Sequence, residues 1–342
     1  MTIIVFLLVL ALAAANGAND VPKGVATLAG AGVANIRTAV WWGTVTTAAG
    51  CLVSLTFAAK LTSLFSKEIV SAPPTAEFAV AVLIGTCAWV ALATVLKLPV
   101  STTHALVGSL LGAGVLFARS DVHWDVLVNK VVLPLLLSVF VAYLVSAVLT
   151  FVGNRIATAA EQRRRRALEA TAGVGPGAAS VAEMQVTASR VNVLTALHWA
   201  TSGFTSFARG MNDAPKIVAI GSFALLGGWT PQRLLFAVTA VMAIGGLVAG
   251  ARVAKSLNAC VDNLTHVDGF TANLTTALLV GLGAFRGMPM STTHVSVGAI
   301  SGTVGKDVGR IKRKTLRDFA VAWLATPPFG FAVAAAAYWL VA

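Results

Sequence analysis

Gly17-Ala18-Asn19-Asp20-Val21-Pro22-Lys23 interrupts an apolar run that begins at Ile3, and Gly210-Met211-Asn212-Asp213-Ala214-Pro215-Lys216 interrupts a second run past mid-chain. Gly and Pro disfavour helix interiors, while Asn and Asp compete for caps. The first copy is therefore expected to be a helix broken across Ile3–Ala34, and the second copy its counterpart. A carboxylate inside an apolar crossing costs about 2.5–3.5 kcal/mol on insertion scales. Unwound backbone at that depth is tolerated only where it lines a polar cavity or is buried in protein. Asp20 and Asp213 fall at equivalent places in the two copies. A shared internal site explains them better than two structural kinks.

A second pattern also occurs twice, as Pro99-Val100-Ser101-Thr102-Thr103-His104 and Pro289-Met290-Ser291-Thr292-Thr293-His294. Asn19 and Asn212 are 193 residues apart, and Ser101 and Ser291 are 190 apart. Two motifs in one order at nearly one offset mark an internal duplication. The repeats take residues 1–152 and 193–342. Residues 153–192 are polar, carry Arg163-Arg164-Arg165-Arg166 and a Gly/Ala/Ser-rich stretch, and read as a linker. In the first repeat the broken helix is followed by a helix over Thr38–Ala58. A hairpin over Glu77–Ala118, with Ser-Thr-Thr at its tip, precedes a long helix over Val126–Val152. A re-entrant hairpin adds either no crossing or two. Each repeat then crosses an odd number of times, so the second is inverted relative to the first.

Composition sets the class. The 342 residues are 57% hydrophobic and 11% charged, with a mean hydropathy of +0.83, where a soluble domain carries about 25% charged residues. So few ionisable groups cannot cover a water-facing surface. The chain is expected to be an all-α, multi-pass protein of the cell membrane with the lipid bilayer around it, and at about 20 residues per crossing it has room for roughly ten. The net charge of +12 does not indicate nucleic acid, because the basic residues lie in loops between apolar runs. With the linker placed inside, the inside loops hold Arg37, Arg155, Arg163 to Arg166, Arg190, Arg252, Lys255, Lys306, Arg310, Lys312, Arg313, Lys314 and Arg317. The outside loops hold only Lys60, Lys67, Arg119, Lys130 and Arg233. This threefold excess puts the linker in the cytoplasm and both termini outside. Cys51, Cys87 and Cys260 stand singly without ligand spacing. The run from Ile3 to Ala15 has no basic residue before it and continues into Asn16, so it is kept as mature structure rather than a signal peptide.

Ser-Thr-Thr after Pro and before an apolar run is a helix N-terminus. Free backbone N–H groups and the positive dipole end favour an anion there, and the hydroxyls add donors. One copy would be ordinary capping. Two such ends converging from inverted repeats would surround a tetrahedral oxyanion with donors. Ser101, Thr102 and Thr103 form one such end and Ser291, Thr292 and Thr293 the other, with Asn19 and Asp20 and Asn212 and Asp213 in the motifs beside them. No cluster of zinc ligands and no nucleophile–base pair with an orienting carboxylate accompanies them. A duplicated site also suits a carrier better than an enzyme, and no cofactor is expected.

The paired Gly-x-Asn-Asp and Pro-x-Ser-Thr-Thr-His motifs, four in order across nearly the whole chain, resemble those of the PiT-type inorganic phosphate transporter family. The resemblance implies a secondary transporter, a symporter of inorganic phosphate working by alternating access between inverted repeats. It also implies that phosphate is held by the ten residues named above, with Asp20 and Asp213 helping to bind coupling sodium. A homodimer is a further expectation.

This chain departs from that pattern. Relatives usually read Gly-Ala-Asn-Asp-x-Ala-Asn, where both copies here end in Pro-Lys. Gly269-Phe270-Thr271-Ala272-Asn273 has Asn where relatives carry Glu, and a second such Glu has no counterpart in Thr38–Ala58. The helix dipole disfavours Lys near a helix start, so Lys23 and Lys216 need partners. Asp20 and Asp213, three residues earlier, and the bound oxyanion are the choices. Each ammonium would then stand in for sodium or contact the oxyanion directly, giving weak or absent sodium dependence and leaving sodium and the proton both open as coupling ion. The alternative is that both lysines snorkel to the interface and leave the sodium sites intact. His104 and His294 are candidate proton-linked groups, against a reading as neutral residues of the first helical turn. No role is assigned to Arg209, aligned with Asn16, or to Arg286, aligned with Leu96. Sulfate or another oxyanion is the alternative cargo. Monohydrogen phosphate can donate a hydrogen bond to Asp20 or Asp213, and sulfate cannot.

Overall fold

The structure, a computed structural model, describes residues 1–57, 59–170, 176–225, 227–305 and 307–342. Helices α1 (Thr2–Gly30), α2 (Ile36–Phe57) and the short α3 (Ala59–Ser63) are followed by α4 (Ala76–Val95) and α5 (Thr102–Phe117). A single turn, α6 (Trp124–Val126), leads through a wider turn at Leu127–Val132 into α7 (Leu133–Ala170). The second half follows the same plan with α8 (Pro176–Gly221), α9 (Pro231–Asn258), α10 (His266–Arg286), α11 (Thr292–Gly302) and α12 (Arg313–Val341). Among the described residues, six helical segments are long and apolar enough to cross a membrane: α1, α2, α4, Trp124–Ile156, α9 and α12.

Neither Asn-Asp motif breaks its helix. α1 runs unbroken through Pro22 and α8 through Pro215, contrary to the broken helices that the local residue preferences indicate. Packing overrides propensity here. An interior Pro forfeits one helical hydrogen bond and costs about 3 kcal/mol in isolation, but Asn16 to Leu28 are all buried, so neighbouring helices hold the segment. The motif glycines serve close crossing instead. A methyl group at Gly17 would collide with the Met242 carbonyl oxygen of α9, and one at Gly210 with the Thr47 carbonyl oxygen of α2. Gly245 of α9 and Gly50 of α2 reciprocate against the carbonyl oxygens of Ala14 and Phe207. Lipid tails are as apolar as helix surfaces, so association rests on such small-residue contacts. Gly17→Val or Gly210→Val is expected to cost about 1–3 kcal/mol by overpacking. The check is a lowered melting temperature in detergent, with Gly153→Val, where nothing lies within 4 Å, as the silent control.

The halves interlock. α1 packs on α9 and α8 on α2, while α5 packs on α12 and α11 on α7. Each pair takes one helix from each half, so the core exists only when both halves are assembled. Within each half a hairpin, α4–α5 or α10–α11, folds its connector back into the protein, and Ser101 to His104 and Ser291 to His294 are all buried. α10 ends on Gly287 at φ 77°, the left-handed position that Gly fills without strain. Lys97 takes the matching place after α4 at φ 62°, where a side chain costs about 1–2 kcal/mol.

The segment read as a linker is helical where it is described. α7 continues to Ala170 and α8 already begins at Pro176, because Ala, Glu, Gln and Arg are strong helix formers. Residues 171–175 of its Gly/Ala/Ser-rich stretch lie outside the described residues.

Candidate functional site

The two hairpin tips meet at the Asn-Asp motifs of α1 and α8. Ser101 and Ser291 cap α5 and α11, their hydroxyl oxygens accepting from the backbone N–H groups of His104 at 3.3 Å and His294 at 3.2 Å. Asn19 and Asn212 clasp the connectors just before the caps. Asn19 Nδ2 donates to the Leu98 carbonyl at 3.0 Å while its Oδ1 accepts from Val100 N at 3.2 Å. Asn212 makes the corresponding pair with the Met290 carbonyl at 3.0 Å and Met290 N at 3.2 Å. These four side chains therefore position the tips, and the remaining polar groups are left to face one another.

Both lysines are buried, Lys23 at 1% and Lys216 at 2% exposure, which rules out snorkelling to an interface. Each reaches its own motif's carboxylate and the opposite half's tip. Lys23 Nζ pairs with Asp20 Oδ1 and donates to Thr293 Oγ1 at 2.7 Å and to the Val100 carbonyl at 2.6 Å. Lys216 Nζ donates to Thr103 Oγ1 at 2.7 Å and lies 3.4 Å from Asp213 Oδ1. The threonine hydroxyls pass the contact on, Thr293 to the Val100 carbonyl at 2.6 Å and Thr103 to the Met290 carbonyl at 3.3 Å.

One position breaks the symmetry. In the first half Asn16 donates to Asp20 Oδ2 at 2.6 Å and to Thr102 Oγ1 at 2.9 Å, and Thr102 itself donates to Asp20 Oδ2 at 2.9 Å. The second half has Arg209 there, 1% exposed. Its NH1 donates to Thr292 Oγ1 at 3.3 Å, its NH2 to Ser296 Oγ at 3.3 Å, and NH1 lies 3.6 Å from Asp20 Oδ1 across the half boundary. The centre thus holds Lys23, Lys216 and Arg209 against Asp20 and Asp213, one positive charge in excess. Asp213 Oδ2 and Arg209 Nε are buried without a hydrogen-bond partner. Arg209 received no role from the sequence, although an arginine inside an apolar helix, one turn before an Asn-Asp motif, is itself a signal.

His104 and His294 face each other behind the tips, ring centroids 4.5 Å apart, with Trp323 4.1 Å from His294. His294 Nδ1 lies 3.3 Å from the Leu135 carbonyl, while His104 Nδ1 and His294 Nε2 are buried without partners. Arg286 is apart from the centre, exposed beside Lys60 and Lys130 in a surface cavity of about 300 Å³. There the hydrogen bond from Lys130, at 2.8 Å, holds the Glu68 carboxyl below its ordinary value.

A closed, net-positive centre where two helix N-termini and three basic side chains converge, inside an all-helical membrane-spanning bundle, defines an anion-handling membrane protein. The chain belongs to the phosphate transporter family, whose sequence model matches residues 16–334. It is 27% identical, over 100% of its length and 78% of the relative's, to a Mycobacterium leprae protein named as a low-affinity inorganic phosphate transporter. It is also 27% identical to a Pyrococcus furiosus protein named as a phosphate permease, over 95% of this chain and 92% of that one. Its fold is that of a solved structure titled as the sodium-dependent phosphate transporter, with a TM-score of 0.82 over 99% of this chain and 98% of the other at 24% identity.

Proposed function

We propose that this protein is a secondary transporter that carries inorganic phosphate across the cell membrane, holding it between the two Ser-Thr-Thr tips. The observation that carries the reading is the excess of buried positive charge at the point where the tips converge. An uncompensated charge at that depth is costly, and an anion there would offset it. Phosphate fits better than sulfate. Asp213 Oδ2 is a buried acceptor with no donor, and a phosphate hydroxyl supplies one where sulfate has none.

The fixed cations also bear on coupling. Both oxygens of Asp20 are engaged, Oδ1 by Lys23 and Oδ2 by Asn16 and Thr102, so sodium at Asp20 would have to displace an ammonium. A phosphate carrier built this way is expected to work with a proton rather than sodium as coupling ion. The exchange of partners between halves, Lys23 with Thr293 and Lys216 with Thr103, fits two inverted repeats, residues 1–152 and 193–342, rocking about this centre in alternating access. The excess of basic residues over the linker-side loops supports a cytoplasmic linker and outside termini.

The test is uptake of radiolabelled phosphate into proteoliposomes with and without a sodium gradient, with excess sulfate as competitor. Uptake indifferent to both supports the reading. Uptake abolished by sulfate transfers the cargo to sulfate, and a strict sodium requirement defeats the role given to the lysines.

A further inference from the structure

From the central charges toward the end of the bundle where α1 stops and α10 starts, α1, α8 and α10 share a buried column of polar side chains. Thr27 lies one turn beyond Lys23 on α1. Its Oγ1 accepts from Asn273 Nδ2 at 2.8 Å and lies 3.0 Å from His198 Nε2. Thr205, one turn before Arg209 on α8, donates to the Asn273 carbonyl at 2.8 Å. Ser202 donates to the Gly24 carbonyl at 2.9 Å. His198 is fully buried, and its Nδ1 has no partner. Its ring centroid lies 6.1 Å from that of His266, which is part-exposed at the start of α10.

The other half shows that the fold does not require this polarity. At the offsets of the two motifs, His198 corresponds to Val5, Thr205 to Leu12, Asn273 to Leu83 and Thr27 to Ile220. All four counterparts are buried and aliphatic. Burying a hydroxyl, an amide and an imidazole costs free energy that an aliphatic residue avoids, and the same packing position accepts the aliphatic residue on the other side. The polar column is therefore retained for what it does. An ionisable side chain within a membrane-spanning helix is, by default, part of an ion path or proton relay.

We propose that His198, hydrogen-bonded through Thr27 to Asn273, is the proton-binding group of this carrier, the role the sequence alone offered to His104 and His294. The proposal rests on the phosphate reading above. In the tautomer that donates from Nε2 to Thr27, Nδ1 carries the lone pair and has no donor facing it. One proton from water, arriving past His266, forms the Nδ1–H bond and leaves the ring as imidazolium. It returns to water on the opposite face after the cargo has moved. The charges close: the centre carries one net positive charge, monohydrogen phosphate brings two negative ones, and the imidazolium supplies the last positive charge.

The groups facing His198 are consistent with this. α1 brings Lys23, one turn from Thr27, and α10 brings His266 and Asp268, the latter paired to Arg310 at 2.8 Å. Of the other long helices packed on α8, α2 carries Arg37, α9 carries Arg233, Arg252 and Lys255, and α4 carries Glu77. Among the described residues, the carboxylates on these elements are Asp268, already paired, Glu77 in the first turn of α4, and Asp20 on α1. Asp20 and Asp213 belong to the central cluster.

The experiment uses the full chain in proteoliposomes and reads two quantities, phosphate accumulation driven by a pH gradient and phosphate–phosphate exchange without one. Wild type, with the membrane potential held at zero because one proton and one monohydrogen phosphate together move one net negative charge, is expected to accumulate phosphate roughly tenfold per pH unit. His198→Gln is expected to lose accumulation and keep exchange within about threefold of wild type, while His104→Gln keeps both. Should His198→Gln fail to fold, Thr27→Val, close to an isosteric change, is expected to cut accumulation while exchange remains. Accumulation that survives in His198→Gln overturns the proposal, as does a wild type that accumulates phosphate only with sodium. A wild type with neither accumulation nor exchange of phosphate defeats the phosphate reading itself, an outcome the two assays keep distinct.

Discussion

Lys23→Met is expected to abolish phosphate uptake and to destabilise the protein by about 3–5 kcal/mol, the cost of leaving one member of a buried ion pair without its partner. The stranded group is the Asp20 Oδ1 oxygen, whose other cation among the described residues, Arg209 NH1, stands 3.6 Å away. Thr293 Oγ1 and the Val100 carbonyl lose a donor as well, so the tip of the opposite half loosens with it. The double variant Asp20→Asn with Lys23→Met separates structure from transport. Removing both charges removes the uncompensated one, so most of the lost stability should return. Transport should not, because the bridge from α1 to the Thr293 tip is still gone. Thermal melts of the purified single and double variants, with uptake on the same preparations, decide the matter. Recovery of uptake in the double variant would mean that Lys23 serves only to neutralise Asp20.

That pair shows how far the sequence could be read. A lysine stands three residues after the aspartate in both copies of one motif, Lys23 after Asp20 and Lys216 after Asp213, and i, i+3 neighbours share a helix face, so their contact was legible. The repeated motifs likewise marked α4–α5 and α10–α11 as hairpins with buried polar tips. The continuity of α1 and α8 was not legible. Gly17, Pro22, Gly210 and Pro215 are judged by local rules as helix breakers, and only the close approach of Met242 and Thr47 from other helices shows why glycine stands at the start of each motif. Contacts between halves were equally hidden: Lys23 meets Thr293 across 270 residues, a distance over which no periodicity speaks. The polar column at His198 was present in the letters all along. It becomes informative only when each side chain is set beside its aliphatic counterpart in the other half, which requires knowing that both positions are buried.

Arg209→Asn, which places in the second half the residue the first half has at Asn16, is expected to weaken phosphate binding roughly 10- to 100-fold. Hydrogen bonds to charged groups contribute about 1.5–3 kcal/mol, and each 1.4 kcal/mol is tenfold in affinity. The substitution removes the charge that gives the centre its positive excess, leaving two cations against two carboxylates. It also removes a donor fork that reaches Thr292 and Ser296 on one side and Asp20 on the other. Arg209→Lys keeps the charge but not the planar fork, so its affinity should fall between the two. Titration calorimetry with phosphate and with sulfate measures both effects. If charge alone matters, the lysine variant binds like wild type. If the fork positions the anion against Asp213, whose Oδ2 has no donor of its own, the lysine variant loses preference for phosphate over sulfate before it loses affinity for either. An asparagine variant that binds phosphate as wild type does would show that Arg209 acts only to hold Asp20 in place, and the positive excess would then be a structural feature rather than the means of holding the cargo.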